Sequence, residues 1–338
     1  MKSSLLLLAL IGLAAIGELA LAKHSNLHEW TQYKKRHGKV YETLEEEARR
    51  FSLYLAAREQ IRQHNANEQA SYKMGLSHLS DRTQEEFAQL NGLGYELGEP
   101  KRRVAKAQDH PHLEPVRSAS GPLADEIDWR QVANRVSSVK DQGECASGWA
   151  FAAAGVLEGQ ETEINRGAEL ISLSAQQLVD CSEYNKGCQG GTISNALTYV
   201  ASRGIEPEQA YPYVGPGSKS CNFSGKATVM SVVGAMEFTD EVDLKTYVAR
   251  FGPVAVGVHV NENFKHYKSG IFNDPTCGPL QNTDHAALVV GYGTDSEVGD
   301  YWIVKNSWSP AWGEEGYIRI KRGLCGIGEL SVVPYGVS

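Results

Sequence analysis

The cysteines of this 338-residue chain constrain its fold more than any other feature, because all six lie in the C-terminal two-thirds. An export signal, described next, places the chain in an oxidising compartment, where thiols tend to pair. Six cysteines leave no obligatory free thiol and allow about 15 pairings. A zinc site would need close pairs such as CxxC, and the chain has none, so we expect disulfides. The six are Cys145, Cys181, Cys188, Cys221, Cys277 and Cys325.

The first 22 residues, MKSSLLLLALIGLAAIGELALA, predict a signal peptide that is cleaved after Ala22. Lys2 precedes an apolar run of 13 residues, Leu5 to Gly17. This run is shorter than the roughly 20 residues that a membrane-spanning helix needs, and no later segment qualifies. We therefore expect a soluble protein of the secretory pathway, extracellular or lysosomal. The sequon at Asn222 is a candidate glycosylation site compatible with export.

Charge divides the remaining chain into two parts. Residues 23–121 contain 16 Lys plus Arg and 14 Asp plus Glu, whereas residues 122–338 contain 16 and 26. A mildly basic front part can thus lie against an acidic, disulfide-linked body, with an attraction that salt screens. The acidic body, which has no phosphate-binding loop and no basic, aromatic surface, argues against a nucleic-acid partner.

The pattern of the front part is helical. Thr43 can cap a helix that continues to about Asn67, with Phe51, Leu55 and Ile61 in its apolar stripe. Thr83 and Glu86 form a capping box for a short helix that ends near residue 92. Residues 94–121 have no periodicity and are rich in Gly, Pro and basic residues. They predict a linker that a protease can reach, for example after Arg103.

In the body, helices come first and strands later. We predict a helix from Gly148 to about Arg166 and a second from Ser174 to Cys181, capped by Ser174. Apolar segments between turn residues indicate strands at 254–260, 287–292, 301–305 and 317–320. This order suggests an α+β body with two lobes.

Three stretches of the body carry a resemblance to a known family. QGECASGWAF at 142–151, NTDHAALVVGYG at 282–293 and YWIVKNSWSPAWGEEGYIRI at 301–320 resemble the catalytic motifs of papain-family cysteine peptidases. The front part resembles a cathepsin L prosegment. It has Glu46, Arg50, Ile61 and Asn65 of one motif, with Tyr54 and Ala57 in place of Phe and Asn, and Gly75 and Asp81 of a second, with Ser77 and Leu79 in place of Asn and Phe.

The resemblance implies an α+β, papain-like two-lobed fold, with a helical lobe and a β-barrel-like lobe, preceded by a helical inhibitory prosegment. The expected domains are a signal peptide at 1–22, the prosegment and linker at 23–121 and a peptidase-like domain at 122–338. The prosegment is the expected internal partner of the cleft. The resemblance gives no cofactor and no metal, and a monomer is expected.

The resemblance also assigns roles to single residues. His285 matches the general base, Asn306 the residue that orients it, and Trp308 the aromatic shield over that pair. Gln142 matches the side chain that stabilises the oxyanion. Gly148 stands at the nucleophile position, where a cysteine at a helix N-terminus would become a reactive thiolate beside an imidazolium.

No other side chain offers to replace the missing thiol. The resemblance implies the disulfides Cys145–Cys188, Cys181–Cys221 and Cys277–Cys325, which consume every cysteine. Ser147 is adjacent, but successive helical side chains diverge by roughly 100°, so its hydroxyl should not face His285. A water activated by His285 would lack the covalent step. Ala146 and Ser309 also depart from the family pattern, which has glycine at both places.

The cleft itself should persist without the thiol. Gln189, Gly190 and Gly191 match the backbone segment along which family substrates lie extended. A pocket that prefers apolar side chains is expected beside it. The candidate cleft and pocket residues after Gly191 are Thr192, Ile193, Ala255, Thr283, Asp284, Trp308 and Leu330.

Three functional hypotheses follow. The first is a non-catalytic homologue that binds a peptide or protein in the cleft without cutting it. The second is an active lysosomal or secreted cysteine endopeptidase, which requires another natural residue at position 148 or a hydrolytic route without its side chain. The third is an inhibitory role of the prosegment towards related peptidases.

Overall fold

The computed structural model describes residues 24–94, 105–106, 121–160, 169–217, 220–277 and 283–338. The predicted signal peptide and most of the predicted linker, including Arg103, lie outside these ranges. Within them, no helix has both the length and the apolar character needed to span a membrane.

The prosegment contains three helices and a short strand before residue 94. These are α1 at residues 24–37, α2 at Leu44–Asn65, β1 at Tyr72–Met74 and α3 at Gln84–Gln89. The predicted caps are present: the Thr43 hydroxyl accepts the N–H of Glu46 at 3.1 Å, and Thr83 and Glu86 form a reciprocal capping box. Because such caps satisfy otherwise unpaired N–H groups of the first turn, they fix where a helix begins.

The buried face of α2 differs from the predicted stripe. Phe51 and Leu55 are only partly buried, and the buried side chains are Tyr54, Ala57 and Ile61. The cause is α1, which the sequence analysis missed. Trp30 and Tyr33 of α1 lie with their ring centroids 5.2 and 4.9 Å from that of Tyr54 and form a small aromatic core with it.

The body contributes five helices among the described residues: α4 at Gly148–Glu158, α5 at Ala175–Cys181, α6 at Ile193–Arg203, α7 at Glu241–Arg250 and α8 at Glu262–Lys265. α4 is buried on nearly all sides, as expected for an apolar central helix. The predicted end of α4 near Arg166 is wrong, because the helix ends at Glu158. Gly159 follows, and its backbone abuts the ring of Pro253 so closely that an added Cβ would lie 2.8 Å from it.

A ten-stranded sheet forms the other side of the body. Its remaining strands are β2 at Ala105–Lys106, β3 at Ile127–Asp128, β4 at Gly234–Phe238, β5 at Val254–Val258, β6 at Tyr267–Phe272, β7 at His285–Asp295, β8 at Gly299–Lys305, β9 at Tyr317–Lys321 and β10 at Ser331–Tyr335. The order is β1-β6-β9-β8-β7-β5-β10-β4-β2, and β3 pairs with β7. Predicted strands correspond to β5, β7, β8 and β9, whereas β4, β6 and β10 were not predicted.

The prosegment adds one strand to each end of this sheet. β1 pairs antiparallel with β6, with Tyr72 opposite Gly270. β2 pairs in parallel with β4, with Ala105 opposite Met236. β2 lies within the stretch that was predicted to be a linker. A strand of two residues is too short to show an alternating pattern of apolar and polar residues, so the sequence did not indicate it.

Three disulfides join the cysteines, in the pairing that the resemblance implies. They link Cys145 to Cys188, Cys181 to Cys221 and Cys277 to Cys325, and no cysteine is free. The first of them ties the turn before α4 to the turn before α6 and thereby fixes one wall of the cleft.

Candidate active-site cleft

The centre of the candidate site is the start of α4, where Gly148 faces His285. A Cβ built on Gly148 would lie 2.7 Å from Cε1 and 3.0 Å from Nδ1 of the imidazole. Real Cβ atoms essentially never approach other heavy atoms to 2.7 Å, so the ring reaches into space that a side chain at 148 would need. The position is therefore directed at the histidine, as a nucleophile would be.

His285 begins β7 and is completely buried. Its Nε2 lies 2.9 Å from Oδ1 of Asn306. The same oxygen accepts the N–H of Ser307 at 2.8 Å, which fixes the amide orientation and makes Nε2 the protonated nitrogen. The indole of Trp308 covers the pair, with ring centroids 4.8 Å apart. The other ring nitrogen, Nδ1, lies on the side of Gly148, 3.0 Å from the position that a Cβ at residue 148 would take.

The imidazole is held in its neutral form. Burial lowers the pKa of His285 to about 4, although the hydrogen bond with Asn306 and the backbone of Asn91 act in the opposite direction. No carboxylate is among the causes of this shift. At mildly acid pH the ring is therefore mostly uncharged.

Gln142 lies beside the start of α4 with its amide fully engaged. Its Nε2 donates to the carbonyl oxygens of Leu90 at 2.8 Å and Cys145 at 2.9 Å. Its Oε1 accepts from the hydroxyl of Ser307 at 2.7 Å. A donor aimed at the cleft is thus present, and in this state a prosegment carbonyl is its acceptor.

Ser147 directs its hydroxyl away from the histidine. Its Oγ lies 2.7 Å from the hydroxyl of Tyr213, which in turn donates to the carbonyl of Gln142 at 2.8 Å. The hydroxyl therefore braces the turn before α4.

The prosegment runs through the cleft after α3. The N–H of Gly191 donates to the carbonyl of Gly92 at 2.9 Å, and the N–H of Gly94 donates to the carbonyl of Gly191 at 3.2 Å. Leu93 N–H donates to the carbonyl of Asp284 at 2.9 Å, from the opposite wall. This main-chain pairing occupies the backbone segment that sequence analysis assigned to ligand binding. The prosegment was predicted as the partner of the cleft, but the residues that pair with Gly191 were not, because Asn91 and Gly92 were interpreted only as the end of a helix.

The other predicted cleft residues lie around this strand. Gln189 ends a short turn at Gly187–Gln189, and Thr192 caps α6 by accepting the N–H of Asn195 at 3.2 Å. Thr283 and Leu330 lie together, since a Cβ on Gly257 would contact both. The apolar members are buried, with Ile193 and Ala255 at 0% and Leu330 at 7% exposure. Asn222 lies apart from the cleft, where its N–H donates to the hydroxyl of Tyr211.

The two further departures from the family pattern differ in consequence. Ser309 has φ of 69°, a left-handed conformation in which glycine is less strained. Ala146 is 2% exposed and places its methyl group against Gly92 of the prosegment.

A buried polar network below the site was not predicted. Lys305 Nζ donates to the hydroxyl of Ser137 at 2.9 Å, and that hydroxyl donates to Glu158 at 2.6 Å. Burial lowers the pKa of Lys305, with Glu158 acting in the opposite direction. A cavity of about 30 Å³ lies between this network and Asn306, which is enough for a water molecule. No group of three or more potential ligand side chains in the described residues is arranged to hold a metal ion.

Comparisons with known proteins agree with this architecture. Residues 123–335 match the papain family cysteine protease domain, and residues 30–87 match the cathepsin propeptide inhibitor domain. The chain is 40% identical to cathepsin L of Sarcophaga peregrina, covering 97% of both chains. It is 38% identical to cathepsin L1 of Drosophila melanogaster, covering 97% of this chain and 90% of the relative.

Among solved structures, digestive procathepsin L 3 of the Tenebrio molitor larval midgut superposes with a TM-score of 0.79. The two are 37% identical, over 92% of this chain and 99% of that one. This likeness confirms the predicted papain-like α+β fold with an N-terminal prosegment. The chain belongs to the papain family of cysteine proteases, as a cathepsin L-like member that carries its own propeptide inhibitor domain.

Proposed function

We propose that this protein is a non-catalytic member of its family that binds a peptide or protein segment in the cleft without cleaving it. The observation that carries the proposal is that residue 148, whose Cβ position at the start of α4 points at His285, is a glycine and offers no side-chain atom there. Peptide cleavage in this family type depends on a covalent intermediate, which needs a nucleophilic atom at that position.

The neighbourhood of Gly148 supports this proposal. All six cysteines are consumed by disulfides. The Ser147 hydroxyl is engaged with Tyr213. Without a thiolate beside it, the imidazole of His285 gains nothing from being charged, in agreement with its lowered pKa.

The machinery for binding remains in place beside this loss. Asn306 and Trp308 still hold His285, and Gly191 still pairs with an extended main chain. The proposal therefore separates binding from cleavage: Gln142, Gly190 and Gly191 act as a binding surface. In the full-length chain, the protein's own prosegment is the ligand of the cleft.

Processing is part of the same proposal. A chain that cannot cleave itself should keep its prosegment unless another protease cuts residues 95–120, for example after Arg103. We also propose that the protein enters the secretory pathway through residues 1–22, that it is glycosylated at Asn222 and that it acts as a monomer, outside the cell or in lysosomes.

The test compares the full-length protein with Gly148→Cys and Gly148→Ser. Each is incubated at mildly acid pH in reducing buffer, and both self-processing and turnover of a fluorogenic Phe-Arg peptide are measured. We expect activity from the Cys variant alone, after His285 shifts to make room for the added Cβ. The Ser variant carries the same Cβ with a hydroxyl and controls for the steric change.

Turnover by the unmodified chain would overturn the proposal and support the active endopeptidase hypothesis. Inactivity of all three would show that more than the nucleophile is missing. In that case, a crystal structure of Gly148→Cys would show where the imidazole of His285 lies.

A further inference from the structure

The prosegment strand meets two walls of the cleft at Gly92. One wall is Ala146: a Cβ built on Gly92 would lie 2.5 Å from the Cβ and 2.7 Å from the carbonyl oxygen of Ala146. The other wall is Gly190, where an added Cβ would lie 2.5 Å from the carbonyl oxygen of Gly92. These distances are shorter than real Cβ contacts. A side chain on the bound residue would therefore collide with Ala146, and the lack of a side chain at Gly190 lets the bound main chain approach from the other side.

The wall formed by Ala146 is rigid. The disulfide Cys145–Cys188 crosslinks it to the segment before Gly190, and the N–H of Ala146 donates to the carbonyl of Cys188 at 3.1 Å. Gln142 holds the carbonyl of Cys145 at 2.9 Å. A larger residue between the walls therefore cannot be accommodated by a small movement of Ala146 alone.

Backbone conformation adds a second requirement for glycine. Gly92 has φ of +53°, in the left-handed region that other residues adopt at a cost. The hydrogen bonds of Gly191 to Gly92 and of Leu93 to Asp284 hold the strand in this conformation. Leu93, the next residue, is 9% exposed and belongs to the main hydrophobic core.

We propose that Ala146 makes this cleft a glycine-reading site. Its ligands are then extended peptides with glycine between Ala146 and Gly190, followed by an apolar residue; Gly92-Leu93 of the prosegment is the built-in example. The inference rests on the proposed peptide-binding function. Selection is by exclusion, because the methyl group and the carbonyl oxygen of Ala146 leave no room for a side chain on the bound residue.

The first experiment uses the full-length chain and measures hydrogen exchange of the Leu93 and Gly191 amides. Gly92→Ala is compared with Gly38→Ala, since Gly38 has φ of +60° and open space around its Cβ position, so it carries the backbone strain alone. We expect exchange at least about tenfold faster in Gly92→Ala than in Gly38→Ala, which corresponds to about 1.4 kcal/mol. Equal exchange in the two variants would overturn the glycine site.

Adding Ala146→Gly to Gly92→Ala removes the 2.5 Å methyl contact and leaves the carbonyl contact. We expect this double variant to recover part of the lost protection. If protection does not recover, the methyl group of Ala146 does not contribute to the selection of glycine, even if Gly92→Ala opens the cleft.

The second experiment adds a ligand in trans to full-length Gly92→Ala, whose own strand no longer fills the cleft well. The probes are the synthetic octapeptides FAQLNGLG, which is residues 87–94, and FAQLNALG. We expect the glycine peptide to bind at least about tenfold more tightly by fluorescence anisotropy. Equal binding overturns the glycine site and leaves peptide binding intact. Binding of neither peptide contradicts the peptide-binding function instead, and the exchange comparison alone then decides the glycine site.

Discussion

The prosegment contacts the body at two places that are built differently. The first, which we name the anchor, is residues 71–82 of the prosegment against residues 262–271 of the body. The second is the cleft strand, residues 90–94. The anchor combines strand pairing with buried side chains, for example the hydroxyl of Ser80, 3.3 Å from Nδ1 of the fully buried His266. The cleft strand combines main-chain hydrogen bonds and close contacts at Gly92 with two buried leucines, Leu90 and Leu93.

The two contacts therefore have different roles: the anchor holds the prosegment on the body, and the cleft strand fills the cleft. The cleft strand buries fewer side chains than the anchor, and segments with fewer buried side chains open at lower free energy. We therefore expect the cleft strand to open locally while the anchor stays docked. A full-length chain could then present its cleft to an external peptide without losing its prosegment.

The largest expected effect comes from Asp81 in the anchor. Its carboxylate accepts from Lys39 at 3.0 Å, from the hydroxyl of Tyr33 at 3.1 Å and from the hydroxyl of Tyr41. Burial by itself raises the pKa of Asp81, but Lys39 and the two tyrosines outweigh it, so the pKa is lowered. Asp81→Ala removes a partner from a buried charge and should cost about 3–5 kcal/mol of prosegment stability. Hydrogen exchange should rise at Gly75 in the anchor and at Gly191 in the cleft together.

Asp81→Asn is the matched control, because the amide keeps the size and an acceptor but not the charge. It should lose less than Asp81→Ala. Exchange that rises in the cleft while the anchor amide of Gly75 stays protected would contradict the view that the anchor holds the strand in place.

Leu93→Ala should open the cleft alone. Leu93 is buried, with 9% of its surface exposed, and truncating a buried leucine to alanine costs about 2–5 kcal/mol. The amides of Gly94 and Gly191 should exchange faster, while Gly75, which donates to the carbonyl of His266 at 2.8 Å, should not change. Equal loss at both places would show that the two contacts open as one unit.

Acidification should weaken the anchor by a smaller amount. Burial lowers the pKa of His78 to about 4, with Asp141 opposing and Lys39 and Arg82 reinforcing the shift. Because the folded pKa lies below the unfolded value, the stability is present above pH 6.5 and is lost as the pH falls towards 4. Between pH 7 and 5 this amounts to about 2 kcal/mol.

Exchange at Gly75, measured at both pH values, tests this. His78→Gln cannot titrate and should reduce the pH-dependent loss by the same amount. Burial also lowers the pKa of His37 and His266, so part of the dependence should remain in the variant. An unchanged slope would exclude His78 from the response.

Local signals made much of this architecture predictable. The caps at Thr43, Thr83 and Ser174 fixed three helix starts, since capping depends on residues three apart. The motifs around His285 and Asn306 identified residues that the structure places 2.9 Å apart. Such features are encoded within a few residues of sequence.

Contacts between distant segments were not predictable in the same way. Ser137 and Lys305 are separated by 168 residues, and nothing local indicates that they meet. Asn91 and Gly92 were predicted only to end a helix, and their sequence does not report that Ala146 lies against Gly92. The face of α2 was misassigned for the same reason, because α1 selects it.

The smallest expected effect lies at an ion pair between the anchor and the turn before α4. Arg82, at the end of the anchor, donates to Glu144 in the turn before α4. Glu144 is 67% exposed at its side chain, and an exposed ion pair contributes about 0–1 kcal/mol. Glu144→Gln should therefore change exchange at Gly75 and Gly191 by less than about fivefold, and raising the salt concentration should have no larger effect on the unmodified chain. A larger change in exchange at Gly191 than at Gly75 would mean that this ion pair helps to hold the turn containing Ala146 against the cleft strand. The cleft would then depend on the anchor by charge as well as by chain connection.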